Sequence, residues 1–177
     1  MAAFALAPLR PTTPHWDRSE NIALARPRCV ACHGLGLVGA SCARVHPCGC
    51  VWRAIFRACL ERYRSIQVKQ ERGPVRGGLG IRPGPRGHRR GPPWQWKNLD
   101  YCADFVLLAR RVLDPLHYQI FRLHFLEERP CGECTRRLGI SRGHFFHAVY
   151  RLQQKLGQRF RELQPYGLWP LPVYFSD

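Results

Sequence analysis

Five cysteines fall within 22 residues, from Cys29 to Cys50, in a segment with few large apolar side chains. A stretch this poor in core-forming residues needs a cross-link or a bound ion to hold one shape. The spacing points to an ion. Cys29 and Cys32 are followed by Gly34 and Gly36 in the pattern Cys-x-x-Cys-x-Gly-x-Gly, and Cys48-Gly49-Cys50 supplies a second close pair. Two thiolates on a tight turn, with glycines letting backbone N–H groups point at the sulfurs, are what a tetrahedral zinc site requires. The expected ligands are Cys29, Cys32, Cys48 and Cys50, with Cys42 or His46 as substitutes. The expected cofactor is Zn2+ in a structural role, because four thiolates leave no open position for a substrate. A redox dithiol at Cys29 and Cys32 is the alternative chemistry, but such motifs stand near a βαβ pattern that this chain lacks.

The chain has nine cysteines in all. An odd count, and the missing charged start ahead of the short Ala/Leu/Phe run in residues 1–10, read as reduced thiols in the cytoplasm rather than a secreted disulfide scaffold. No window approaches 18 consecutive apolar residues, so no membrane span is expected. Lys and Arg number 28 against 12 Asp and Glu, a formal net charge of +16. Such a balance calls for a polyanionic partner. It also leaves few carboxylates for acid/base work, and no Gly-rich phosphate loop or nucleophile elbow is present, so the chain reads as a binding protein and not an enzyme.

Composition divides the 177 residues. Residues 1–28 are Pro-rich and read as a flexible arm. Residues 29–70 hold the cysteine segment and a helix whose apolar positions Trp52, Ile55, Phe56, Cys59, Leu60 and Tyr63 recur at three and four, with Arg53, Arg57, Arg62 and Arg64 away from that stripe. Residues 71–95 contain seven Gly, five Pro and six Arg, the composition of a disordered basic linker. Residues 96–177 are helical throughout. Asn98 is expected to cap a helix bearing Leu99, Cys102, Val106, Ala109 and Leu113. Asp114-Pro115 then restarts the helix to about Leu126, burying Leu116, Ile120 and Leu123. Pro130 opens a short helix ending near Leu138, and Gly139 supplies a left-handed turn. Ser141 caps a long last helix with Phe145, Val149, Leu152, Leu156, Phe160 and Leu163 on one face, ended by Pro165. The expected class is mainly α: a helix-turn-helix bundle at the C-terminus plus a small zinc-stapled N-terminal module on a disordered basic linker.

Two short helices joined by Leu138-Gly139-Ile140-Ser141 have the layout of a DNA-binding helix-turn-helix. The run Leu113-Asp114-Pro115-Leu116, the segment Ile120 to Phe125, and above all Glu133-Cys134-Thr135-Arg136-Arg137-Leu138-Gly139-Ile140-Ser141-Arg142-Gly143 resemble the C-terminal promoter-reading domain of bacterial sigma factors, over residues 113–163. The resemblance implies that the second helix enters the major groove. Off the apolar stripe stand Arg142, His144, Phe146, His147, Tyr150 and Arg151, with Ser141 at the cap. Arginine offers the bidentate fork that matches guanine. Arg136 and Arg137 on the first helix would meet phosphates. The counterpart of that family's polymerase-binding part is not recognisable in residues 1–95.

The Cys-x-x-Cys-x-Gly-x-Gly run is similar to the zinc knuckles of the DnaJ chaperone family, while a second pair placed just before a helix resembles treble-clef or zinc-ribbon modules. Cys131 and Cys134 also stand three apart, but with no second pair nearby they read as packing thiols, as do Cys59 and Cys102. Together these features predict a cytoplasmic transcriptional regulator that reads double-stranded DNA. The alternative is a zinc-dependent adaptor that binds RNA polymerase or RNA instead.

Overall fold

Phe56, Phe105 and Phe160 come from three segments far apart in sequence, and their rings meet in the middle of the molecule. Centroids lie 6.1 Å apart for Phe56 and Phe160, 5.1 Å for Phe105 and Phe160 and 6.5 Å for Phe56 and Phe105. The computed structural model describes residues 18–39, 45–71, 93–163 and 167–176. Within them the architecture is mainly helical. Helix α1 spans Arg18–Leu24, the strands β1 and β2 are Leu37–Val38 and His46–Pro47, and α2 runs from Gly49 to Glu71. Then follow α3 (Pro93–Val112), α4 (Pro115–Ile120) continuing into a π-helical stretch at Phe121–Leu126, α5 (Cys131–Leu138), α6 (Arg142–Glu162) and α7 (Leu171–Phe175).

The two longest stripes are buried as the periodicity predicts. Ile55, Phe56 and Cys59 of α2 and Phe145, Leu152, Leu156 and Phe160 of α6 are inaccessible to solvent. These two helices pack on each other along a seam with no room to spare: a Cβ at Gly157 would lie 1.9 Å from the backbone oxygen of Trp52. The cysteine-bearing half of the chain and the C-terminal helices therefore contribute to one core.

Helix α3 buries Cys102 and Ala109, with Leu113 just beyond its end, as expected and differs at its start and at Leu99. It begins at Pro93, so Asn98 lies inside the helix, where its Oδ1 accepts a hydrogen bond from Arg62 at 2.9 Å. Proline suits a first helical turn, where its missing N–H has no partner to lose. Residues 93–95 thus belong to the helix and not to a linker, while 72–92 lie outside the described residues. Tyr101 and Phe105 are fully buried and Leu99 is exposed, because the larger rings take the core positions. The Tyr101 hydroxyl donates to the backbone oxygen of Cys59 at 3.2 Å, which satisfies its polar end.

The next elements start and stop where their caps dictate. The Asp114 carboxylate accepts from the backbone N–H of His117 at 3.0 Å, with Pro115 first in α4. The wider π turns of 121–126 bring Phe121, Leu123 and Phe125 all into the core, a set that α-helical spacing alone would not align. Gly139 has a φ of +63° and closes α5 in the left-handed region. The Ser141 hydroxyl accepts from the His144 N–H at 3.2 Å and opens α6.

Two outer segments dock on this body. The chain from residue 18 onward is not a loose arm: Glu20 of α1 pairs with Arg161 at 2.8 Å and accepts from the Trp169 indole at 2.8 Å. The contact is polar, so hydrophobic periodicity carried no trace of it. Residues 1–17 lie outside the described residues. At the other end Leu168 is buried, its carbonyl accepts from the Cys59 thiol, and Tyr174 donates to Asp104 at 2.9 Å. Among the described residues no helix is long and apolar enough to cross a membrane.

Candidate functional site

Cys29, Cys32, Cys48 and Cys50 converge. Their sulfurs all lie within 4.8 Å of one another, with Cys29 to Cys48 at 3.7 Å and Cys32 to Cys50 at 3.6 Å. Three of the four are buried and Cys29 is half-buried. This is an arrangement that can hold a metal ion. The first pair sits on a turn closed by the His33 N–H donating to the Cys29 carbonyl and the Leu35 N–H donating to the Cys32 carbonyl, both at 2.8 Å. His33, Gly34 and Gly36 all have positive φ, so the chain turns through the left-handed region three times in four residues. Gly36 has a second reason to be glycine: a Cβ there would come within 2.2 Å of the Asn21 carbonyl.

The second pair is brought in by the short ladder in which Leu37 faces Pro47 and Val38 faces His46, and by the Cys48 N–H donating to the Gly36 carbonyl at 2.8 Å. Cys50 stands in the first turn of α2. Backbone N–H groups of Cys32 and Ala31 hold the Cys29 thiol down to about 6, favouring the thiolate. Burial pushes Cys48 up to about 12 and raises Cys50, so both hold their protons more tightly than a free thiol. His46, one expected substitute, is exposed on β2 with its Nδ1 at 3.2 Å from the Pro47 carbonyl, outside the sulfur cluster. Cys42, the other, lies outside the described residues.

The second candidate surface is the front of α5 and α6. Arg136, Arg137, Ser141, Arg142, His144, Phe146, His147, Tyr150 and Arg151 are all exposed, so every residue expected to face DNA is accessible. Their local engagements differ. Arg137 is paired with Glu133 at 2.9 Å, and the Arg136 Nε donates to the Gly132 carbonyl. The Arg142 guanidinium lies 5.6 Å from the centre of the Phe146 ring, and that of Arg53 lies 4.1 Å over Tyr150. Among the described residues Arg142, Arg151 and Lys155 have no carboxylate within ion-pair distance, whereas Arg64, Arg122, Arg137, Arg159 and Arg161 each have one and Arg129 has two.

Sequence reasoning missed three contributors to this surface. His117, held beside Asp114, joins His144, His147 and Arg151 around one hollow because α4 packs on α6. Lys155 lies four residues beyond Arg151, a spacing that was legible. His46 reaches the same region only through the fold. The arginine face of α2 is in turn largely engaged: besides Arg53 over Tyr150, Arg62 bonds Asn98 and lies over Phe175, and Arg64 pairs with Glu128 at 3.0 Å.

Cys134 is buried and its thiol lies 3.6 Å from the Arg129 carbonyl, while Cys131 is half-buried, a packing arrangement with no second pair beside it among the described residues. Comparison with protein-family models, curated proteins and solved structures found no match to this chain.

Proposed function

We propose that the chain is a DNA-binding transcriptional regulator of the cytoplasm, a binding protein and not an enzyme, which reads duplex DNA with a sigma-like helix-turn-helix formed by α5 and α6. The observation that carries this reading is the capped start of α6 beyond the left-handed turn at Gly139, where Arg142, His144, Phe146, His147 and Arg151 are exposed. A helix presented this way offers its first turns to a major groove, with arginine able to fork onto guanine.

The metal of this reading is zinc, held by Cys29, Cys32, Cys48 and Cys50. Four thiolates around a tetrahedral zinc with bonds of about 2.3 Å lie about 3.8 Å apart; here Cys29 and Cys48 are 3.7 Å apart, Cys32 and Cys50 are 3.6 Å apart, and all four sulfurs lie within 4.8 Å of one another. Its role is structural, since four sulfurs fill the coordination shell.

The test is selection of bound duplexes from a random pool at physiological salt with zinc-loaded protein. A recovered motif is the expected result, and Arg142→Ala should then cost about 1 to 3 kcal/mol on the preferred site only. An equal loss on scrambled DNA would refute base reading. A second reading, an adaptor whose metal-held end docks on RNA polymerase, is favoured by the exposure of Val30, Leu35 and Val45 on the cysteine segment. Polymerase binding that survives loss of Arg142 and His147, with no duplex affinity, would select it.

A further inference from the structure

Arg151 lines two adjoining hollows. One is the hollow it shares with His117, His144 and His147. The other lies between α6 and the start of α2 and is lined by His46, Trp52, Gln154 and Lys155 among others. No carboxylate lines either. Gly49 abuts Gln154 so closely that a Cβ would meet its amide at 2.2 Å, so the metal-held segment lies directly against the middle of α6.

The length of α6 gives these hollows a direction. Its 21 residues extend roughly 30 Å, whereas a B-DNA major groove is about 12 Å wide. Only about its first two turns can lie between the phosphate rows. Arg151 and Lys155 come next, on one face and about 6 Å apart along the axis, where a helix leaving the groove passes the backbone. One turn further on Arg159 is occupied by Glu162 at 3.3 Å, so the run of unpaired cations on this face ends at Lys155, with the His46 side chain beside it as a further hydrogen-bonding group.

We infer that the two hollows form one phosphodiester-binding track, in which Arg151, Lys155 and His46 take the DNA backbone as it leaves α6 and lead it onto the metal-held segment. The inference rests on the duplex-reading function proposed above and assigns the cysteine segment a share of the DNA contact. Phosphate contacts of this kind set register and orientation and carry no sequence information.

The experiment is the salt dependence of binding to a mixed-sequence duplex of about 30 base pairs, from about 50 to about 200 mM salt, with metal-loaded full-length protein. Arg151→Ala combined with Lys155→Ala should flatten the slope of log K against log salt by about two. The control is Lys69→Ala combined with Arg110→Ala, which removes the same charge from exposed positions off the track and should leave the slope near the wild-type value. His46→Ala should weaken binding equally on all sequences. Equal slopes for the two double variants would overturn the track, since net charge alone would then act, while a motif dependent on Arg142 would leave the duplex-reading function standing. Failure of the wild-type protein to retain duplex, or tighter retention of single-stranded RNA, would overturn both.

Discussion

The cysteine segment and the aromatic bundle meet across α2 and α6, yet they are held by different forces. Around the sulfurs the large apolar side chains Val30 and Leu35 face solvent, the buried side chains include Cys32, Cys48 and Cys50, and the backbone doubles back through positive φ. In the bundle Tyr101, Phe105, Phe121, Phe145 and Phe160 are fully buried, with rings in stacked, tilted and edge contacts. Apolar burial sustains the second region without help. The first has less of it and, on the zinc reading proposed above, depends on the ion its thiols would hold, so the two should fail under different conditions.

The largest effect expected follows from the zinc proposed for the four sulfurs. Structural zinc sites contribute on the order of 10 kcal/mol or more to the fold around them, and beside these sulfurs Val30 and Leu35 are exposed and offer little apolar burial in its place. Chelation should abolish hydrogen-exchange protection at Leu35 and Cys48, whose N–H groups donate within this segment. Leu152 and Leu156, deep in α6, should keep theirs. Simultaneous loss in both regions would show that they unfold as one unit, and the contrast drawn above would be wrong.

A smaller effect is expected at the seam that joins them. At Gly157 a Cβ would lie 1.9 Å from the Trp52 oxygen and 2.7 Å from its carbonyl carbon, both backbone atoms that cannot rotate aside. Gly157→Ala must push α2 off α6, and overpacking of this kind costs about 3 kcal/mol. Gly143→Ala, in the first turn of the same helix with nothing within 4 Å, is the comparison variant. It should be neutral or stabilising by up to about 1 kcal/mol, because alanine restricts the unfolded chain. Denaturant midpoints of the two variants give the answer, and equal midpoints would mean that α2 does not press on α6 there.

Legibility followed the same division. The bundle could be read because its stripes repeat at helical spacing and its boundaries carry caps whose chemistry is local: Asp114, Gly139 and Ser141 each do in the structure what their side chains predict. The four sulfurs were legible too, since a tight turn can bring cysteines two or three residues apart onto one ion. What could not be read were contacts between distant segments with no periodic signature. Glu20 on Arg161, His117 beside the α6 histidines and Gly157 under Trp52 each depend on how elements dock. Within α3, Tyr101 and Phe105 join the expected Cys102, Ala109 and Leu113 in the core while Leu99 stays exposed, a widening of the stripe that spacing alone does not reveal.

The thiols of the two regions also differ, and this gives the smallest of these effects. Cys29 is held down to about 6 by backbone N–H groups, whereas burial pushes Cys59, in the bundle, up to about 12 from a starting value of 9.0. Between those last two values the unfolded chain releases the Cys59 proton and the folded chain keeps it. The folded state then binds more protons, so stability must fall as pH rises. The loss begins near pH 9 and amounts to about 1 kcal/mol per pH unit for one such group. Tyr101, also raised by burial, adds to the decline at higher pH. Cys59→Ala costs some packing at every pH, so the informative quantity is slope. With zinc supplied, so that the proposed ligation keeps the four clustered thiols from titrating, the variant should lose stability between pH 9 and pH 10 less steeply than the wild type by about 1 kcal/mol. Identical slopes would mean that Cys59 ionises as freely in the folded chain as in the unfolded one, and that the bundle is open to water beneath Leu168, whose carbonyl lies 3.6 Å from the thiol.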